Sequence, residues 1–275
     1  MRRRGRGMSR VFQSTVTSGL HKVVSPDNAS CRAITIFRLN ITQGESFRLE
    51  SGQLEMNALL IEGSARIGEP LVKGNRMVWR TDDGTISFPA LNVNDSFYIS
   101  CCTSVDITAG ENGASLYIGA AESDNIGAPF YRAYDPTLPI GEIHQIHGSG
   151  SGQREVFFTL NEEIPASRLI CGFTTGGDGA WTSWPPHQHE RYLEEAYCYY
   201  GMDGIGWHLY YPTGSHLCDA QFQPVINGSI ALAADGYHPT VASPGVRNRY
   251  FWVLAAFDHQ SRGYNHAVSD PETES

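Results

Sequence analysis

The sequence predicts an all-β protein made of two tandem barrels, and three observations carry that expectation. Short β-like runs recur along the whole chain; 29 glycines and 14 prolines punctuate them; and one central stretch, residues 121–153, is dense in Pro, Gly and Ser and poor in hydrophobic periodicity. At 275 residues the chain exceeds the usual single-domain size, so two domains of about 130 residues each can both bury a core.

The first half reads as AITIFRLNI, LEMNALLIEGSARI, RMVWR, SFYISC and ASLYIGAA, separated by Gly, Asp and Asn turns, which is the spacing of a sandwich or small barrel. After the central stretch the pattern resumes with REVFFTL, RLICGFTT, EEAYCYYGM, IGWHLYYP, SIALAADGYHP and RYFWVLAAF. LLIEGSARIG in the first half and YCYYGMDGIGWHLYY in the second share a strand-and-turn character that suggests a duplicated fold. The expected organisation is a flexible basic tail at 1–10, a first domain at 11–130 and a second at 131–275.

Composition removes several classes of function. The formal net charge is −9 and only the extreme N-terminus, MRRRGRGMSR, is strongly basic, so nucleic acid is not an expected partner, because phosphate binding relies on clustered Lys and Arg. No apolar run approaches the roughly 18 residues of a membrane span, and no apolar segment follows the basic start as a secretion signal requires. Cys31, Cys101, Cys102, Cys171, Cys198 and Cys218 are scattered without a C-x-x-C pair. They read as reduced thiols, mostly buried, and imply a cytoplasmic home.

One segment stands apart. In WPPHQHERYLEEAY, residues 184–197, two of the chain's 10 histidines lie one residue apart, just before two glutamates. On an extended segment His187 and His189 project to one side, where both imidazoles can meet one ion. Of the adjacent Glu194 and Glu195 only one can point the same way, and strand alternation alone does not choose between them. His238, in ADGYHPTVASPG, is the fourth candidate. A lone His–x–His is more often a surface pair. The order His–x–His, Glu, Gly-rich hairpin and lone His instead matches the order of donors in metal-binding cupins.

The segments WTSWPPHQHERYLEEAYCYY and NGSIALAADGYHPTVASPG, residues 181–200 and 227–245, resemble the 5-deoxy-glucuronate isomerase family of inositol catabolism, a bicupin group related to the 4-deoxy-threo-hexosulose-uronate ketol-isomerases. The resemblance covers most of the second half. It implies a bicupin, two tandem double-stranded β-helix (jelly-roll) barrels, with a divalent ion (Zn, Mn or Fe) held in the second by His187, His189, His238 and a glutamate, Glu195 in preference to Glu194. The first half matches loosely and has no histidine between His21 and His144, so it is expected to be metal-free, a scaffold or dimer surface. A homo-oligomer is expected.

The implied reaction is aldose–ketose isomerisation of an open-chain deoxy-uronate-type sugar acid, 5-deoxy-glucuronate to 2-deoxy-5-keto-gluconate. The ion would stabilise charge on the carbonyl oxygen, and a base must take the C2 proton. His208, Glu194 and Tyr210 are the first candidates for that catalytic role, with Tyr197 and Tyr199 beside them. Arg154 or Arg249 is expected to bind the substrate carboxylate, with Tyr197 in the substrate pocket. Trp181, Trp184, Trp207 and Phe251 read as core or pocket wall. GIGWHLYY places His208 and Leu209 where the family carries Gln and Arg, and Arg247 and Arg249 make this chain more basic after the Gly–Tyr–His–Pro turn, departures that point toward a substrate other than the family's usual one. Two other classes compete: a metal-binding bicupin that holds a sugar acid without turnover, and an Fe(II) cupin dioxygenase.

Overall fold

The computed structural model describes residues 10–273, and within them every regular element is a strand or one of three short 3₁₀ turns. The tail expected at 1–10 lies outside the described residues except for Arg10. That side chain is anchored: its guanidinium pairs with Asp235 at 2.6 Å and lies 3.5 Å over the Tyr210 ring.

The first half wraps one 12-stranded sheet around an apolar interior. Its two long strands, Leu54–Ile67 and Thr103–Glu122, pair over most of their length, with register shifts that let them bend around the interior. ASLYIGAA is the second half of the 20-residue strand Thr103–Glu122. Strands Gly19–Val24 and Ser46–Glu50 carry a weaker sequence signal, because His21, Lys22, Arg48 and Glu50 break the apolar pattern at sheet positions with one face in solvent.

The second half builds a seven-stranded sheet facing a four-stranded one, Trp181–Thr182, Thr240–Ala242, Gly206–Tyr210 and Gln221–Val225. Tyr197, Tyr199, Trp252 and Leu254 fill the space between them. A third apolar cluster, including Ile36, Leu59, Tyr117, Cys171, Phe251 and Val253, lies between the two halves. There the backbones approach so closely that a Cβ on Gly119 would sit 2.6 Å from the Val253 methyls.

Two short strands cross the expected partition. Val11–Gln13 pairs with Ser229–Ala233 in the second half's sheet, while Phe130–Arg132, inside the Pro- and Gly-rich stretch, pairs with Ser96–Ile99 in the first. The halves therefore exchange leading strands reciprocally. The same symmetry appears in two buried carboxylates. Glu55 accepts the backbone N–H groups of Ser167, Arg168 and Leu169 at 2.6–2.9 Å, and Glu194 accepts those of Arg32 and Ala33 at 2.8 Å. Each half thus holds the opening of a strand in the other, with donors that would otherwise be buried unpaired.

Candidate metal centre

The approach to the site is a tight loop. After Trp181–Thr182 the chain passes Ser183, at φ 52°, and a cis Trp184–Pro185 bond, and reaches the strand His187–Gln188. That strand pairs with Val268–Ser269 near the C-terminus, His187 opposite Ser269. His189 then begins a turn whose carbonyl accepts the Tyr192 and Leu193 amides at 3.0 and 3.2 Å, leading into strand Leu193–Tyr199. His238 arrives from the other side on a turn through Gly236, at φ 67°, where a Cβ would meet the Tyr211 carbonyl oxygen at 2.6 Å. Only glycine fits there.

His187, His189, Glu195 and His238 converge, each offering a ligand atom within 4.8 Å of all the others. This is close to the separation of roughly 4 Å or less that donors share around one ion with bonds of about 2.1 Å. The packing around strand Leu193–Tyr199 resolves the choice of glutamate. Glu195 points inward, whereas Glu194 points to the opposite face and is consumed by the amides of Arg32 and Ala33.

The hydrogen bonds fit a cation. The Nδ1 atoms of His187, His189 and His238 lie 3.1, 3.3 and 2.9 Å from the carbonyl oxygens of Pro185, Leu193 and Gly236, which can only accept. In a neutral ring the proton is then on Nδ1 and the lone pair on Nε2. The Nε2 atoms of His189 and His238 are 3.0 and 3.2 Å from Oε2 of Glu195, so lone pairs face a carboxylate oxygen unless protons or a cation stand between them. Burial acts to raise the Glu195 carboxyl, but its contacts with the two imidazoles outweigh that and hold it well below the usual carboxylate range. An anionic carboxylate and three oriented imidazoles form a donor set for a divalent transition ion. The Tyr197 hydroxyl donates to the same Oε2 at 2.8 Å and orients it.

The cluster opens into a cavity of 310 Å³. Arg154 and Tyr197 are among its lining residues. Arg249 is not; its guanidinium covers the Tyr200 ring at 4.9 Å. None of the three expected catalytic residues reaches the cavity. Glu194 faces the other half. Tyr210 lies under Arg10, outside the cavity. His208 is buried behind the cluster, its Nδ1 3.0 Å from the Tyr199 hydroxyl and its ring stacked 6.5 Å from His238. Burial, and then His238, push the His208 imidazole down to about 3, so it is a weak base. The reading failed at these positions because a strand pattern reports which face a side chain takes, not which sheet stands against that face.

Several cavity residues had little or no sequence signal: His147, Tyr250, Tyr264 and Asn265. His147 belongs to what reads as a linker, although a histidine seven residues before Arg154 was a usable hint. Tyr264 and Asn265 come from a C-terminal strap that carries no periodic pattern. The strap is held by Tyr192 stacking on His266, with ring centroids 4.3 Å apart, and by the Tyr264 amide donating to Glu162 at 2.8 Å.

Comparison with known proteins agrees with this architecture. The KduI/IolB family matches residues 10–271. A 5-deoxy-glucuronate isomerase of Geobacillus kaustophilus is 26% identical over 247 residues, 84% of this chain and 83% of that one. Its namesake in Bacillus subtilis strain 168 is 25% identical over 182 residues, 62% of this chain and 64% of that one. Among solved structures, an IolB-like protein of Salmonella typhimurium superimposes with a TM-score of 0.77 at 21% identity, covering 97% of this chain and 98% of that chain. The oxalate decarboxylase of Lactobacillus farciminis, a cupin-fold protein, reaches 0.64 at 12% identity, covering 96% and 89%. The fold is a bicupin, and the chain belongs to the KduI/IolB family.

Proposed function

We propose that this member of the KduI/IolB family is a metal-dependent isomerase that interconverts the aldehyde and ketone forms of a deoxy-uronate-type sugar acid in inositol catabolism, with 5-deoxy-glucuronate to 2-deoxy-5-keto-gluconate as its reaction. The observation that carries the proposal is the three-histidine, one-glutamate donor set, three of whose members, His187, His189 and Glu195, line one cavity with Arg154. Relatives carrying the name 5-deoxy-glucuronate isomerase support the choice of substrate.

His187, His189, Glu195 and His238 would hold the ion, with positions left open for substrate oxygens. When bound, the ion supplies Lewis acidity for charge developing on the carbonyl oxygen. Arg154 pairs with the substrate carboxylate, which would be costly to bury alone. The Tyr197 hydroxyl is raised far above its ordinary value, first by burial and then by Glu195; it stays protonated and keeps Glu195 oriented. Trp184 and Trp252 form apolar wall and limit water.

The test is metal content of purified protein, wild type beside His187→Ala/His189→Ala, with turnover of 5-deoxy-glucuronate measured before and after chelation. The proposal expects one equivalent of metal in the wild type, its loss in the double variant, and turnover abolished by chelator and restored by Zn²⁺, Mn²⁺ or Fe²⁺. A wild type that binds no metal, or that turns over fully after chelation, overturns it.

A further inference from the structure

We infer that His147 is the catalytic base, carrying the substrate proton between C2 and C1, an inference that rests on the isomerase reading above. Isomerisation needs a group in the cavity that can accept a proton near neutral pH, and neither the donor cluster nor Arg154 provides one.

His147 closes strand His144–His147 and lies opposite Arg154 in register on strand Arg154–Leu160. Directly opposed residues of an antiparallel pair leave the sheet on the same face, and both of these line the cavity that contains His187, His189 and Glu195. If Arg154 takes the carboxylate, the imidazole beside it faces the chain of the same substrate. His147 Nε2 lies 2.6 Å from Oε1 of Gln145 and donates to it. That contact leaves the lone pair on Nδ1, the form a base requires.

The other titratable groups at the cavity are accounted for. His187, His189 and Glu195 belong to the cluster, and Arg154 is a permanent cation. The hydroxyls of Tyr197, Tyr250 and Tyr264 are all raised by burial, that of Tyr250 to about 12, so they donate hydrogen bonds and do not accept a proton. His208, Glu194 and Tyr210 lie outside. His147 is itself held below its ordinary value, first by burial and then by the Arg154 charge, and is therefore unprotonated at neutral pH.

The step balances within the substrate and one imidazole. His147 takes the C2 proton; the C2–H electron pair becomes the C1=C2 bond while the C1=O pair moves onto O1. The imidazolium then returns the proton to C1 as the O2–H proton passes to O1 and the C2 carbonyl forms. No oxidant, reductant or external proton is consumed.

The test compares metal-loaded wild type with His147→Gln and His147→Asn on 5-deoxy-glucuronate, reading kcat and KM separately, bound metal, and, in D₂O, deuterium incorporation at the product carbon that derives from substrate C1, which is C6 of 2-deoxy-5-keto-gluconate. The expected result is a fall in kcat of about 100-fold or more with KM and metal content near wild type, slowed solvent exchange, and partial restoration of kcat by added imidazole. A variant that keeps its metal and turns over within about fivefold of wild type overturns the assignment, as does one in which only KM rises, since that makes His147 a binding group. Loss of bound metal from both variants also overturns it, by giving His147 a structural role. If wild type with full metal turns over no 5-deoxy-glucuronate, the isomerase reading fails and this role fails with it. An active wild type beside an active His147→Gln removes the base alone.

Discussion

The two halves of the molecule are built on one strand plan and differ in what they place inside. Glu55 opposes Ala121 on the neighbouring strand just as Glu194 opposes Ala255, and the next residues, Met56 and Glu195, oppose Ala120 and Leu254. The outward glutamates match in position and in use, since each accepts backbone amides from the other half. The inward residues do not match. Met56 is packed in an apolar interior with Leu49, Trp79, Phe97 and Ile99, whereas Glu195 meets three imidazoles. Glu194, which holds backbone amides, and Glu195, which meets the imidazoles, are thus one position apart, and the period of two along a strand is the physical reason.

The largest expected effect concerns the inward pair. Glu195→Gln should remove one anionic donor, deplete bound metal and lower kcat by about 1,000-fold or more, whereas Met56→Gln should leave metal content unchanged. Elemental analysis and turnover on both variants test this, and metal loss from the Met56 variant would show that the first half takes part in the site.

The outward pair sharpens the comparison on the side of stability. Glu55→Gln and Glu194→Gln each replace an acceptor oxygen by an NH₂ group facing backbone donors. Each should cost about 3 kcal/mol, read from urea unfolding, with metal content retained. A large loss at one site and none at the other would break the symmetry.

The smallest effect is acid sensitivity. His208 is buried and neutral, with its imidazole pushed down from 6.5 to about 3. The folded state therefore binds fewer protons than the unfolded chain between those values, so stability is full above about pH 6.5 and falls as pH drops toward 3. By pH 5 the loss is at most about 2 kcal/mol, and His208→Gln should remove it. Urea midpoints at pH 7 and pH 5 for the two proteins measure this. The first half has no counterpart, since His21 hydrogen-bonds at the exposed surface.

Much of the site was legible because its residues are close in sequence. His187, His189 and the glutamate pair fall within nine residues; spacing drew attention to them, and the family resemblance, not alternation, preferred Glu195. His238 was legible from the Gly–Tyr–His–Pro turn, where a glycine is demanded by the nearby Tyr211 carbonyl. The proton-transfer candidates were misjudged at His208, Glu194 and Tyr210, all near the cluster in sequence. His147 and Tyr264 reach the cavity from segments without periodicity.

What the sequence determined by itself is local: β structure from alternation and turn residues, apolar interiors, and a donor order tied to one loop and one strand. The tertiary structure decided what depends on distant partners. Val11–Gln13 and Phe130–Arg132 are strands only because an edge in the opposite half receives them, Val11 opposite Ala231 and Arg132 opposite Ser96, and three residues carry too little pattern to declare a pairing with a segment so far from them in the chain. Likewise Glu194 became a fastener and Glu195 a neighbour of the imidazoles only once the two sheets packed, because burial and partner, not residue type, set what a carboxylate does.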